Sequence, residues 1–197
     1  MKIKLLISLL LCLQVVAGAG QDKDGLRISL LTWTPGAELY SIFGHNALRI
    51  VDSAAGTDVV YNYGTFNFND PDFYTKFVRG KLMYFLSQSS YADFLYEYSY
   101  FKRGIIEQEL KLNADEKKAL QQFMFENVRE ENRYYKYDFL YDNCTTRLRD
   151  IIFRTNSAKP LVPKVFTTYG QTFRDHLHGY LDRAAMPWTK LGIDLLL

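Results

Sequence analysis

The amino-acid sequence predicts an α+β domain built on an antiparallel sheet. Three observations carry this. Short apolar runs of strand length are punctuated by turn residues, two of them return on each other across a hairpin-sized gap, and helical spacing with capping signals lies between and after them.

Residues 27–33 are the first apolar run, and Thr34-Pro35-Gly36 breaks it. Residues 45–51 alternate as a second strand, with Ala47 and Arg49 on the face shared with His45. Residues 52–58 carry turn chemistry and 59–63 return as a third strand, so the two pair as a hairpin. Residues 81–87 and 104–112 read as further strands. Tyr91, Phe94, Leu95 and Tyr98 fall at helical spacing. Asn113 and Glu116 form a capping box, followed by Leu120, Phe123 and Met124 as a buried stripe. Residues 143–154 read as a helix with Leu148, Ile151 and Ile152 facing inward, and 172–183 as another. With no repeat, low-complexity tract or linker, residues 20–197 are expected to form a single domain.

Residues 1–19 are read as a signal peptide. Lys2 and Lys4 precede an apolar core over 5–16, and Ala17-Gly18-Ala19 offers the small-x-small cleavage pattern. That core is too short to span a bilayer, which takes about 20 residues. Leu11 stands where a lipoprotein cleavage site requires a small residue, so Cys12 is not expected to be lipidated. Cleavage leaves 22 basic and 22 acidic residues in an exported protein, with no electrostatic case for nucleic acid. A hydrophobic fraction of 48% excludes disorder. The chain closes on the apolar run 193–197, which reads as a cut beyond which the natural protein is expected to continue.

The cleaved chain keeps one cysteine, Cys144, in a compartment that favours disulfides. It is either a small buried hydrophobe or a reactive thiol. Asp142 and Asn143 are good N-caps, which puts Cys144 in the first turn of its helix, where the dipole and free N–H groups favour a thiolate. The same N–H groups, near Cys144 and Thr145, are suited to stabilising an oxyanion.

A thiol nucleophile needs a base, and the candidates are His45, His176 and His178. The last two flank Leu177 in a polar helix and read as surface. His45 follows Gly44 at a strand start, where the glycine leaves one side of the ring open. Asn62, on the hairpin partner strand, is the candidate to orient it; Tyr61 and Glu38 are alternatives. Arg147, one turn beyond Cys144, either neutralises a phosphate or pairs with Asp150. This chemistry calls for no metal and no cofactor.

Histidine first on a strand and cysteine later at a helix start resembles the order of circularly permuted papain-like enzymes such as the lecithin–retinol acyltransferase group. A closer resemblance lies in three stretches. They are Leu31-Thr32-Trp33-Thr34-Pro35-Gly36-Ala37-Glu38-Leu39-Tyr40-Ser41-Ile42-Phe43-Gly44-His45, Val60-Tyr61-Asn62-Tyr63-Gly64-Thr65-Phe66, and Asp138-Phe139-Leu140-Tyr141-Asp142-Asn143-Cys144-Thr145-Thr146-Arg147. In order, they resemble the motifs of the N-terminal periplasmic domain of the Bacteroides-type lipoprotein N-acyltransferase.

The resemblance implies a permuted papain-like domain that moves an acyl chain from phospholipid, through a Cys144 thioester, to the N-terminal cysteine amine of a lipoprotein. It implies catalysis by Cys144, His45 and Asn62, with Arg147, Tyr61, Glu38, Ser41 and Asn143 around the substrate. The site of action is then the periplasm, at the outer face of the inner membrane. The aromatics Tyr96, Tyr98, Tyr100 and Phe101, and Tyr134, Tyr135, Tyr137 and Phe139, are either core or the lining of an acyl groove. The same residues also suit a cell-wall cysteine peptidase or amidase, and a binding module with a dead site is the third reading.

Overall fold

A computed structural model describes residues 25–38, 41–100, 103–156 and 170–196. The leader 1–19, with Lys2, Lys4 and Cys12, lies outside the described residues, as do Phe101 and the terminal Leu197.

Strand β1 (Leu26–Trp33) ends where Thr34-Pro35-Gly36 begins, because proline has no N–H to give to the ladder. Strands β2 (His45–Asp52) and β3 (Thr57–Thr65) form the expected hairpin, with Leu48 opposite Tyr61 and Ile50 opposite Val59. Its turn is tighter than expected. Asp52 Oδ1 accepts from the N–H groups of Ala54 and Ala55, both at 3.0 Å, so the strands run closer to the turn.

Helix α1 (Phe73–Val78) leads into β4 (Met83–Ser90), helix α2 (Tyr91–Tyr100) into β5 (Ile105–Glu109), and helix α3 (Ala114–Asn127) into β6 (Tyr134–Lys136). Helices α4 (Cys144–Thr155), α5 (Phe173–Arg183) and α6 (Pro187–Leu196) follow. The six strands form one antiparallel sheet in the order β5-β1-β2-β3-β4-β6. Among the described residues no helix is long and apolar enough to cross a membrane.

Alternation sends successive side chains to opposite faces, and helices cover both. On one face Ile28, Leu48, Ile50, Tyr61, Tyr63 and Leu86 pack against Leu120 and Met124 of α3 and Leu148 and Ile151 of α4. On the other, Leu31, Trp33, Ala47 and Val60 pack against Phe94 and Tyr98 of α2. Double coverage explains why four consecutive residues of β2, from Ala47 to Ile50, are all buried. Arg49 sits on the face of Ala47 as expected. Its guanidinium is bonded to Asp58 at 2.8 and 2.6 Å and to Glu107 at 2.9 Å, and lies 3.4 Å over the Tyr91 ring.

Four expectations change. The strand expected over 81–87 lies three residues later at its far end, and that over 104–112 is shorter. Leu95, at helical spacing, is 38% exposed, and Phe123, expected in a buried stripe, is 37% exposed. In α3 the capping box is present, but the buried row is Glu116, Lys117, Leu120 and Met124, which leaves Phe123 on its flank. Helix α1 and the three-residue β6 carry too little periodicity to be read from sequence.

Candidate active site

The site forms at the end of the sheet where β2 begins and β3 is irregular. Gly44 has φ +77°, and a Cβ there would lie 3.0 Å from the Trp33 carbonyl oxygen. Only glycine turns the chain so sharply into β2. His45 then stands opposite Trp33 in the ladder, its ring 5.4 Å from the indole. On β3 the register shifts between Asn62 and Thr65, and Gly64 in the bulge has φ +92°. A Cβ on Gly64 would lie 3.6 Å from His45 Cε1 and 4.0 Å from Cys144 Cβ, so the bulge brings the backbone up against both residues.

Asn62, just before the bulge, places Oδ1 on His45 Nε2. An amide oxygen only accepts, so Nε2 carries the proton and Nδ1 is left for the thiol.

Cys144 is the first residue of α4. Asn143 is its N-cap: Oδ1 accepts from the N–H groups of Thr145 and Thr146, each at 3.0 Å, while its own N–H donates to Thr146 Oγ1 at 2.8 Å. Asn143 Nδ2 donates to the Phe139 carbonyl, so this side chain builds the helix start. The Thr145 N–H is taken by the cap, whereas the Cys144 N–H, at the first helical position, has no intrahelical acceptor.

The thiol is buried, which pushes its pKa up. The hydrogen bond from His45, the positive charge of His45, the Asn46 N–H and the Thr145 hydroxyl together outweigh that, and bring it down to about 7. Burial works against the charged form of His45, but the bond and charge of Cys144 and the bond to Asn62 raise it above its usual value. Both shifts favour the thiolate–imidazolium pair.

Three further side chains belong here that the sequence did not single out, the Thr145 hydroxyl among them. Asn46 Nδ2 donates to Thr145 Oγ1 at 2.7 Å, and Thr32 Oγ1 donates to Asn46 Oδ1 at 2.8 Å, which ties β1 and β2 to the start of α4. Thr145 Oγ1 is 3.9 Å from the Cys144 sulfur. The available signal was adjacency, since Asn46 follows His45 and Thr145 follows Cys144. Arg103 is the third. Its charge opposes protonation of His45.

The remaining candidates stand apart from the Cys144–His45–Asn62 cluster. Tyr61 points into the core on the face opposite Asn62, where burial pushes its hydroxyl up to about 12. Ser41 is buried and donates through Oγ to the Glu38 carbonyl at 2.8 Å, and Glu38 is exposed. Arg147 is clamped on Asp142 by two bonds, 2.6 and 2.7 Å, and lies 3.6 Å over the Tyr135 ring. Of the two roles open to Arg147, the pairing with Asp150 is not the one formed: Asp150 pairs with Arg149 at 2.7 Å, on a side of α4 that Arg147 has left for the loop before the helix. His176 is exposed on α5, and His178 is bonded to Asp194 at 2.7 Å.

No curated protein and no solved structure matches the chain. The family model of the Lnb N-terminal periplasmic domain matches residues 19–175, and the chain belongs to this family of periplasmic cell-envelope domains.

Proposed function

We propose that this domain is a cysteine-dependent acyltransferase on a permuted papain-like fold, working at the outer face of the inner membrane. It takes an acyl chain from phospholipid and delivers it to the N-terminal amine of a lipoprotein. The carrying observation is the buried thiol at the start of α4, bonded to a histidine that Asn62 holds from the neighbouring strand.

The Cys144 thiolate attacks the donor ester carbonyl, and the Cys144 N–H stabilises the oxyanion. The C–S bond forms and the ester C–O bond breaks. His45 gives its proton to the departing alkoxide, which leaves as lysophospholipid. The acceptor amine then attacks the thioester, His45 takes the amine proton, the amide forms and the thiolate returns.

An aromatic track favours lipid over peptide as the donor. Tyr137 lies 3.8 Å from where a Gly64 Cβ would be and stacks on Tyr84 at 4.5 Å; Tyr84 meets Phe66 at 5.3 Å, and Phe66 meets the exposed Phe68 at 4.6 Å. Rings continue from beside Gly64 to the surface and offer apolar area along which an acyl chain can lie.

Intact-mass analysis after incubation with phospholipid vesicles tests this. The expected result is one acyl adduct on Cys144 that a lipopeptide amine removes. Absence of the adduct, together with cleavage of cell-wall peptides, would instead make the protein a peptidase or amidase. A thiol inert to every electrophile would leave a binding module.

A further inference from the structure

We propose that Arg103 is the anion-binding residue of this site and takes the phosphate of the acyl donor. The identity of the donor rests on the acyl-transfer reading above; the anion seat rests on geometry.

Arg103 stands between α2 and β5, and its side chain is held in place. Nε and Nη2 both donate to the Thr34 carbonyl, at 3.1 and 3.0 Å. The connection is itself tied down, because Thr34 N–H donates to the Gly104 carbonyl and Gly104 N–H to Thr34 Oγ1, each at 3.0 Å. The stem passes close over Gly36, where a Cβ would reach Arg103 Cδ at 3.4 Å. The guanidinium lies 5.4 Å from the Tyr98 ring, Tyr98 stacks on Trp33 at 4.8 Å, and Trp33 packs on His45. The cation is thus fixed two ring layers from the catalytic imidazole.

What it lacks, among the described residues, is an acid. Arg49 has Asp58 and Glu107, and Arg147 has Asp142. Among the described residues Arg103 has no carboxylate partner; its side-chain bonds go to a single neutral carbonyl. A guanidinium has five N–H donors, so three stay available for an acceptor that arrives with the substrate. Arginine suits phosphate oxygens because its donors are planar and paired.

The placement also has an electrostatic consequence. The positive charge of Arg103 works against the imidazolium at His45. A phosphate on Arg103 cancels that opposition, so donor binding itself strengthens the thiolate–imidazolium pair. Arg147, already matched by Asp142 and covered by Tyr135, has no comparable role to fill.

The test compares anionic and neutral reagents at Cys144. In the wild-type full chain, iodoacetate should be favoured relative to iodoacetamide, with the preference erased by salt and by inorganic phosphate. In Arg103→Gln the rate ratio should fall by about 10-fold, within the range of local electrostatic steering, and Arg103→Lys should recover most of it. A second arm measures acyl-adduct formation from phosphatidylglycerol vesicles against diacylglycerol in the same vesicle matrix, and Arg103→Gln should lower that ratio too. A wild-type ratio that ignores phosphate, or an Arg103→Gln ratio equal to wild type, overturns the anion seat; the first measurement needs no variant to fold. Protection by inorganic phosphate without any adduct from phosphatidylglycerol keeps the seat and sinks the acyl-transfer reading. An adduct from phosphatidylglycerol whose donor ratio ignores Arg103→Gln overturns the proposal and leaves that reading intact.

Discussion

Asn62 holds His45 across the β2–β3 hairpin, with the amide oxygen on Nε2 and the opposite ring nitrogen turned toward Cys144. The asparagine is one strand away from the histidine it holds, and the thiol arrives from a helix much later in the chain.

Loss of Asn62 should therefore slow acyl-enzyme formation without ending it. Asn62→Ala frees the tautomer but leaves thiol, dipole and oxyanion donor. A drop of about 10–100-fold is expected, less than for Cys144→Ala or His45→Ala. Asn62→Asp should outperform Ala, since a carboxylate also accepts the ring N–H. Single-turnover adduct formation, with thermal melts as the folding control, decides it; a wild-type rate in Asn62→Ala contradicts the orienting role.

The thiol should ionise near neutrality. Alkylation of Cys144 followed against pH is expected to rise with a midpoint of about 7. Below that pH the thiol is protonated and slow, above it the thiolate dominates. In His45→Ala the stabilising bond and charge go while burial stays, so the midpoint should move up. A wild-type midpoint at or above about 8.5, the value of a free cysteine, would contradict an activated thiol.

Gly64→Ala should be strained. The left-handed backbone at φ +92° disfavours any Cβ, at a cost of about 1–2 kcal/mol. The added methyl also faces His45 and Cys144. A lower melting temperature together with slower alkylation is expected. An unshifted melt would show that the bulge relaxes.

Arg147→Ala should lower stability by about 1 kcal/mol, through its partly exposed ion pair with Asp142 and its stacking on Tyr135. Asp142→Asn should lose less, because the stacking remains. If Arg147→Ala instead leaves the melt untouched and weakens phospholipid use selectively, the phosphate belongs to Arg147 and not to Arg103.

The positions of Cys144, His45 and Asn62 were legible in sequence because each is announced locally. An N-cap precedes the cysteine, a glycine precedes the histidine, and a turn puts the asparagine on the partner strand. Arg103 was not, because what defines it is a carbonyl 69 residues away and a stack of rings that runs from Tyr98 of α2 to Trp33 of β1. Nor was the role of Asn46, whose side chain reaches a threonine 99 residues on. In α2 and α3 the helices themselves were legible, whereas which face is covered depends on the packing angle against the sheet, and Leu95 and Phe123 fall just outside it.

The ion cluster around Arg49 fixes more than its own charges. Arg49 lies four residues beyond His45 and on the same face of β2. Sliding β2 by one residue would send His45 to the opposite face and carry Arg49 with it, into the layer of Leu120, Met124 and Leu148, away from Asp58 and Glu107. An unpartnered guanidinium there costs several kcal/mol, far more than a mispaired strand of aliphatic residues. The buried charge further along the strand therefore acts as an index mark, and the imidazole inherits its address from a residue that never touches it.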